Sequence, residues 1–122
     1  MHIDSHAFNG FQHLLFLNLN GNKLQKLPAE ICKLTSLRHL SLDNNQITEL
    51  PVEFCTLSTL QELYIAGNKL TSLPLEIGYL TGLQKLCLQK NKIRELPEGL
   101  SKCYRLRYLD VAANEIRIFP TE

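Results

Sequence analysis

The fold is decided by residues 60–82, which read LQELYIAGNKLTSLPLEIGYLTG. The same pattern returns every 23 residues along the chain. Asparagine occupies positions 22, 45, 68, 91 and 114, and a Leu-Pro or Phe-Pro pair begins at positions 27, 50, 73, 96 and 119. Copies that keep one register over five units predict a repeat architecture, in which stacked units bury a shared core.

Each repeat combines two apolar spacings. Alternating leucines predict short strands with one apolar face at 16–20, 39–43, 62–66, 85–89 and 108–112. After each proline pair the apolar spacing lengthens, as at Leu27, Ile31 and Leu34, and this suits a short helix or a 3₁₀ turn. Proline fits the first position of such a turn, where its missing N–H is no loss.

The repeated asparagines have a chemical explanation. Each one lies where the chain turns away from a strand, so its side chain is predicted to point inward. A carboxamide can donate to and accept from backbone groups that the turn leaves unpaired, whereas aspartate can only accept and serine reaches too little. We therefore interpret these asparagines as structural and assign them no role in binding.

Residues 14–122 resemble the 23-residue Leu-Pro class of leucine-rich repeats, the kind found in Ras-suppressor and Ras-pathway scaffold proteins. The resemblance implies an α/β solenoid with parallel strands on its concave face and short helical or 3₁₀ turns on its convex face. It says little about the partner, because the motif residues are structural and are shared by proteins with unrelated functions.

The repeat frame predicts one domain over residues 1–122. Full repeats cover 14–36, 37–59, 60–82 and 83–105, and residues 106–122 form a truncated repeat. Residues 1–13 are predicted to be part of an earlier repeat, because Phe8 and Phe11 align with Ile31 and Leu34; Met1 then falls on a core position.

The two ends carry neither a cysteine-rich cap nor an amphipathic capping helix. Because solenoids need polar caps, we expect this chain to be a slice or a short isoform of a longer protein. Uncovered apolar residues of the last coil also predict end-to-end self-association. These residues are Leu106, Leu109, Val111 and Phe119.

Composition excludes several classes of protein. The 13 basic and 12 acidic side chains nearly cancel, which argues against a nucleic-acid binder. No apolar run approaches the roughly 18 residues that span a bilayer. Residues 1–10 also lack the apolar segment of a signal peptide. We therefore expect a cytoplasmic protein that binds neither nucleic acid nor membrane.

The four cysteines are predicted to be free thiols, as in a reducing compartment. Cys32 and Cys55 share one position on the convex side, Cys103 replaces a core leucine, and Cys87 should face outward on the concave sheet. Coils that splay apart on the convex side would separate Cys32 from Cys55 too far for a disulfide.

No catalytic or cofactor site is expected. Cys87 has no base at the correct position, because Lys85 lies beside it and His39 lies two strands away. His2 and His6 alternate with an aspartate but are better explained as solvated residues than as metal ligands.

The outward strand positions are free of the repeat consensus, so they are the candidate binding site. Large aromatic side chains there resemble the anchors of protein interfaces, and mixed charges suit local polar pairing. Glutamates at 30, 53 and 76 form a convex row that is predicted to be solvated. The predicted partner-binding residues are Phe16, His39, Asp43, Glu62, Tyr64, Lys85, Gln89, Tyr108 and Asp110.

Two functions compete. The first is a protein–protein interaction module of an intracellular scaffold or signalling protein, and the resemblance favours it. The second is a regulatory or sensor segment of a larger multidomain enzyme or immune-type receptor. An enzyme in its own right finds no support, because no constellation of catalytic residues is present.

Overall fold

The fold is one parallel sheet whose strands follow each other in chain order. The computed structural model describes residues 3–4 and 6–117, so Met1, His2 and Phe119 lie outside the described residues. The strands are β1 (Phe16–Asn18), β2 (His39–Ser41), β3 (Glu62–Tyr64), β4 (Lys85–Cys87) and β5 (Tyr108–Asp110). Between them lie the 3₁₀ turns η1 (Ala29–Lys33), η2 (Val52–Thr56), η3 (Leu75–Tyr79) and η4 (Glu98–Lys102).

The predicted register is confirmed. Each strand residue lies opposite the residue 23 positions later, so Leu40 faces Leu63 and Leu63 faces Leu86. These three leucines are completely buried, and the 3₁₀ turns supply the other side of the same core. A single repeat could not bury these side chains, so the stability comes from contacts between coils.

The proline of each 3₁₀ turn lies immediately before the turn, and not at the first position of the turn as predicted. Pro28 is extended, with φ −70° and ψ 152°, and precedes η1 as its N-cap. Its carbonyl accepts the N–H of Ile31 at 3.1 Å, which closes the first turn. The prediction was wrong by one residue because the fixed φ of proline suits either position, and here its carbonyl serves as the acceptor.

The strands have three residues, not the five that the alternation predicted. β1 ends at Asn18 because the ladder continues beyond it on one side only. The N–H of Leu19 still donates to the carbonyl of Ser41 at 2.8 Å, but the returning bonds pass to side chains. Asn20 accepts the N–H of Asp43 on its Oδ1 at 2.7 Å, and the carbonyl of Leu19 accepts from Asn45 Nδ2 at 3.0 Å. Period-two alternation reports which face a residue occupies but not which group its backbone bonds.

The inward asparagines form a ladder between coils, as predicted. Asn45 Oδ1 accepts the N–H groups of Asn22 and Leu24, at 2.9 and 3.0 Å. Its Nδ2 donates to the carbonyls of Leu19 and Leu42, both at 3.0 Å. Equivalent bonds join later coils, and we call this set the asparagine ladder: Asn45, Asn68, Asn91 and Asn114.

The chain leaves each strand through a residue in the left-handed region, one position before each repeated asparagine. Glycine is the natural occupant there because it has no Cβ to clash. The five residues and their φ angles are Gly21 (70°), Asn44 (60°), Gly67 (68°), Lys90 (61°) and Ala113 (56°). Lysine and alanine therefore hold a backbone conformation that they rarely adopt.

The end coils are only partly covered. Phe8 is buried, as its alignment with Ile31 predicted, but Phe11 is 51 % exposed, unlike its counterpart Leu34. Phe11 instead borders an open apolar cavity of about 440 Å³ at this end of the sheet, because no further coil packs against it among the described residues. At the other end Leu109 is 38 % exposed, as expected.

Replacing an asparagine that bonds a neighbouring coil should destabilise the protein more than replacing one that bonds only its own coil. Asn68→Ala leaves the buried N–H of Ile47 without its acceptor and should lower the free energy of unfolding by about 1–3 kcal/mol. Asn22→Ala is the matched control, because the Asn22 side chain bonds only to carbonyls of its own coil among residues 3–4 and 6–117. Denaturant unfolding measures both, and equal losses would contradict pairing between coils.

Candidate functional site

The five strands bring one outward residue each into a continuous row across the concave face. The strand register pairs Phe16 with His39, His39 with Glu62, Glu62 with Lys85, and Lys85 with Tyr108. We call these five residues the concave row. Tyr64, Cys87 and Asp110 belong to the next row, two residues further along each strand. The predicted side chains therefore lie side by side on the sheet.

Aromatic contacts begin the concave row. The rings of Phe16 and His39 stack with their centroids 4.2 Å apart and their planes 15° apart. The His39 ring also lies against Tyr64, at 5.0 Å between centroids. His39 Nδ1 lies 3.2 Å from Glu62 Oε1, so the imidazole joins the aromatic residues to the carboxylate of the row.

Glu62 and Tyr64 share a short hydrogen bond. The Tyr64 hydroxyl donates to Glu62 Oε1 at 2.6 Å. This bond lowers the pKa of the Glu62 carboxyl, with smaller help from His39 and Lys85 and against partial burial. The same bond raises the pKa of the Tyr64 hydroxyl. The carboxylate therefore holds the tyrosine ring in one orientation on the sheet.

Lys85 lies between two tyrosines. Its Nζ is 5.3 Å from the centroid of the Tyr64 ring and 5.1 Å from that of the Tyr108 ring. Both distances suit cation–π attraction, which reaches to about 6 Å. The neighbouring Tyr64 hydroxyl raises the pKa of the Lys85 ammonium. Contacts thus run from Phe16 to Tyr108 without a break.

Two rings of this surface face solvent. Phe16 is 56 % exposed and Tyr108 is 50 % exposed, while Tyr64 is half-buried between its neighbours. Sequence reasoning expected all three rings to face water. Tyr64 is more covered because its ring contacts both His39 and Lys85.

Two residues beyond the second row, Asp43 and Gln89 belong to a third outward row, and some of these side chains also bond the backbone. Asp43 Oδ1 accepts the N–H of Ala66 at 2.8 Å, and Asp110 Oδ1, from the second row, accepts the N–H of Ala112 at 3.0 Å. Gln89 Oε1 is buried without a hydrogen-bond partner. Three of the predicted binding residues therefore lie on the concave face, and both aspartates also cap backbone groups.

The Cys87 thiol is less accessible to solvent than predicted. Cys87 does lie on the concave face, but it is only 5 % exposed, because its short side chain lies between larger neighbours in both directions of the sheet. Burial raises the pKa of Cys87 and of Cys103, and it raises the pKa of Cys55 to about 11. All four cysteines are free, and high pKa values make these three poor nucleophiles.

Within residues 3–4 and 6–117, no three histidine, cysteine or acidic side chains lie close enough together to hold a metal ion. In the same part of the chain, no helix has the length and apolar character needed to cross a membrane.

The convex side carries apolar residues that sequence reasoning missed. Val52, Leu75, Tyr79 and Tyr104 are between 54 % and 81 % exposed. Leu75 and Tyr79 border a cleft of about 380 Å³ between η3 and η4. Only a residue-by-residue comparison of convex positions could have found them, because they occupy three different positions of the repeat. The convex face is therefore less uniformly polar than its glutamates suggested.

The sheet, the 23-residue register and the asparagine ladder define the class of protein. The chain matches the leucine-rich repeat region family over residues 2–115. It therefore belongs to the leucine-rich repeat family, whose repeats generally form non-catalytic binding modules. No curated protein sequence matches the chain significantly.

Solved structures agree with this assignment. A leucine-rich repeat protein of Leptospira interrogans is 45 % identical, with a TM-score of 0.86 over 88 % of this chain and 27 % of its own. The plant peptide hormone receptor RGFR1, solved in complex with RGF2, is 31 % identical, with a TM-score of 0.77 over 84 % of this chain and 17 % of its own. The leucine-rich repeat domain of the type III effector XopL is 29 % identical, with a TM-score of 0.80 over 87 % and 39 %.

The Tyr64–Glu62 bond predicts a pH effect. Because folding lowers the pKa of Glu62, the bond stabilises the protein above the ordinary carboxyl pKa, and this stability is lost as the pH falls through the folded-state pKa. The contribution should stay under about 1 kcal/mol, since the Glu62 side chain is 43 % exposed. Tyr64→Phe should raise the pKa of Glu62 in an NMR titration, whereas Tyr79→Phe on the convex side should leave it unchanged. An unchanged pKa in Tyr64→Phe would show that the hydrogen bond is not its main cause.

Proposed function

We propose that this leucine-rich repeat chain is a protein-binding module whose partner lies across the concave face. One observation carries the proposal: outward side chains that the repeat does not require form a contact chain from Phe16 to Tyr108. The core is completed by leucines, and the turns are completed by asparagines. The fold therefore does not explain why these outward positions hold three large rings.

The anchors that we propose are Phe16, Tyr64 and Tyr108. Aromatic side chains bury a large area and lose little conformational freedom on binding, since they have only two rotatable bonds. Here the contacts with His39 and Lys85 already restrict the rings before any partner arrives. Such preorganisation favours affinity, because less side-chain entropy remains to be lost.

The charged and polar members of the surface would set the orientation of the partner. Asp43, Glu62 and Asp110 are acidic, Lys85 is basic, and His39 and Gln89 add polar groups. Because these side chains are partly exposed, they should affect association rate and specificity more than affinity. A partner of mixed charge with an apolar centre fits this arrangement.

The cellular setting that we propose is an intracellular scaffold or signalling protein of the Ras-suppressor class. The unbroken 23-residue Leu-Pro register supports the class. The four free cysteines support a cytoplasmic, reducing compartment.

A regulatory or sensor segment of a larger protein is the second candidate. The chain spans only 27 %, 17 % and 39 % of the three solved chains described above. One of them is a receptor in complex with a peptide hormone, which favours a sensing role by analogy. Sequencing the complete gene product would separate the two candidates, because an attached kinase, GTPase or receptor region would favour the second.

We also propose that the partly covered end coils associate end to end. Leu109 is 38 % exposed at one end, and Phe11 is 51 % exposed beside the apolar cavity at the other. Exposed core residues favour association. Sedimentation at increasing concentration should therefore show growing oligomers, and Leu109→Lys should reduce them. A monomer at every concentration would exclude this association.

The concave anchors predict a loss of binding without a loss of folding. The Tyr64→Ala and Tyr108→Ala pair should weaken partner binding by at least about 2 kcal/mol. Partners are captured from lysate with the unaltered chain, and the Kd of the identified partner is then measured by calorimetry. Glu53→Ala is the convex control, since Glu53 is exposed on the opposite face. If the control disrupts binding while the tyrosine pair does not, the binding surface is convex.

A further inference from the structure

A second surface lies on the flank where the chain runs from the left-handed turn towards the proline. There each coil has an extended segment whose middle residue, such as Leu70 or Ile93, is completely buried. Residues on either side of that position therefore face outward, and adjacent segments are joined by backbone bonds, such as Lys92 N–H to the Leu70 carbonyl at 2.8 Å. Side chains of neighbouring coils are thus aligned along this flank.

Cations concentrate on the last three coils of this flank. We call five of them the basic flank: Lys69, Lys90, Lys92, Arg94 and Arg117, all of which are exposed. None of these five takes part in the ion pair that the structure shows, which joins His39 and Glu62. The five cations outnumber the two carboxylates beside them, Glu95 and Glu115. An excess of like charge destabilises a fold slightly, so folding alone does not account for the group.

Two arginines occupy equivalent positions at the end of the basic flank. The N–H of Arg117 donates to the carbonyl of Arg94 at 3.2 Å, so their side chains leave adjacent backbone segments. Both line a surface cavity of about 340 Å³ with Glu115, which forms no ion pair with either arginine. A guanidinium presents a planar fork of donors that matches a carboxylate, and two neighbouring forks can hold successive carboxylates.

Lys90 provides independent support. It occupies the left-handed turn with φ 61°, where two of the other coils have glycine. A lysine at this position is less favourable for the backbone than glycine. The chain therefore keeps a cation at this exposed position, next to Lys92, at a small cost to the backbone.

We propose that the basic flank binds an acidic segment of a partner protein. This surface is separate from the concave row and does not depend on the function proposed for it. A peptide is favoured over nucleic acid because the described segments that carry the basic flank, 69–72, 90–95 and 115–117, include no aromatic side chain on which bases could stack. Glu95 and Glu115 also interrupt the cations, and a continuous phosphate backbone would meet them, whereas separate carboxylates can avoid them.

Calorimetry of the complete chain with a short polyglutamate peptide tests the proposal, at ionic strength low enough for a screening length above about 10 Å. Arg94→Gln with Arg117→Gln should weaken the affinity at least about tenfold, since each arginine would lose a charge-assisted contact. Lys102→Gln with Arg105→Gln removes the same charge from exposed positions outside the flank, and should change the affinity less than about twofold.

Lys90→Gly separates binding from folding. The variant should weaken peptide binding while the denaturation midpoint stays unchanged or rises, because glycine relieves the left-handed turn. Absence of peptide binding by the unaltered chain would overturn the proposal, as would equal losses in the two double variants. Tighter binding of a short single-stranded RNA through the same arginines would also overturn it, in favour of a nucleic-acid surface.

Discussion

The structure depends on one constraint: buried asparagine side chains must form hydrogen bonds with the backbone groups that are left unpaired where the chain turns out of each strand. A solenoid must leave its sheet once in every coil, and each exit removes carbonyl and N–H groups from the strand ladder. In this chain the carbonyl of Leu42 accepts hydrogen bonds from the side-chain amides of Asn45, in its own coil, and Asn68, in the next coil. Without these hydrogen bonds, burying the leucines would also bury unpaired polar groups, and the free-energy cost of doing so would oppose the hydrophobic gain.

The residues that determine the fold are therefore different from those that form the outward surface of the sheet. Inward strand positions and the asparagine ladder satisfy the core, so outward positions are free to vary while the backbone stays the same. The parallel register then converts residues 23 positions apart into neighbours, which is how Lys85 comes to lie between Tyr64 and Tyr108. A binding surface can therefore be assembled one residue per repeat, without disturbing the contacts that hold the coils together.

The fold was predictable from spacing, and the candidate site was predictable only in part. Strand order, register and the inward direction of Asn68 follow from the 23-residue period. The length of the strands did not follow, because Asn20 and residues like it replace backbone acceptors in the ladder. The burial of Cys87 was missed for a related reason: a repeat pattern gives the face of a residue but not the size of its neighbours on adjacent strands.

The net charge of the sequence is also a poor guide to the binding partner. A total of 13 basic and 12 acidic side chains looks balanced, and on composition alone it argues against a nucleic-acid binder. The fold distributes these charges unevenly over its faces, so that Lys92, Arg94 and Arg117 outnumber Glu95 and Glu115 on one flank. Screening acts over about 10 Å, so a partner responds to the charges of the face it meets and not to their sum. In a repeat protein, charge must therefore be counted for each position of the repeat before a class of partner is excluded.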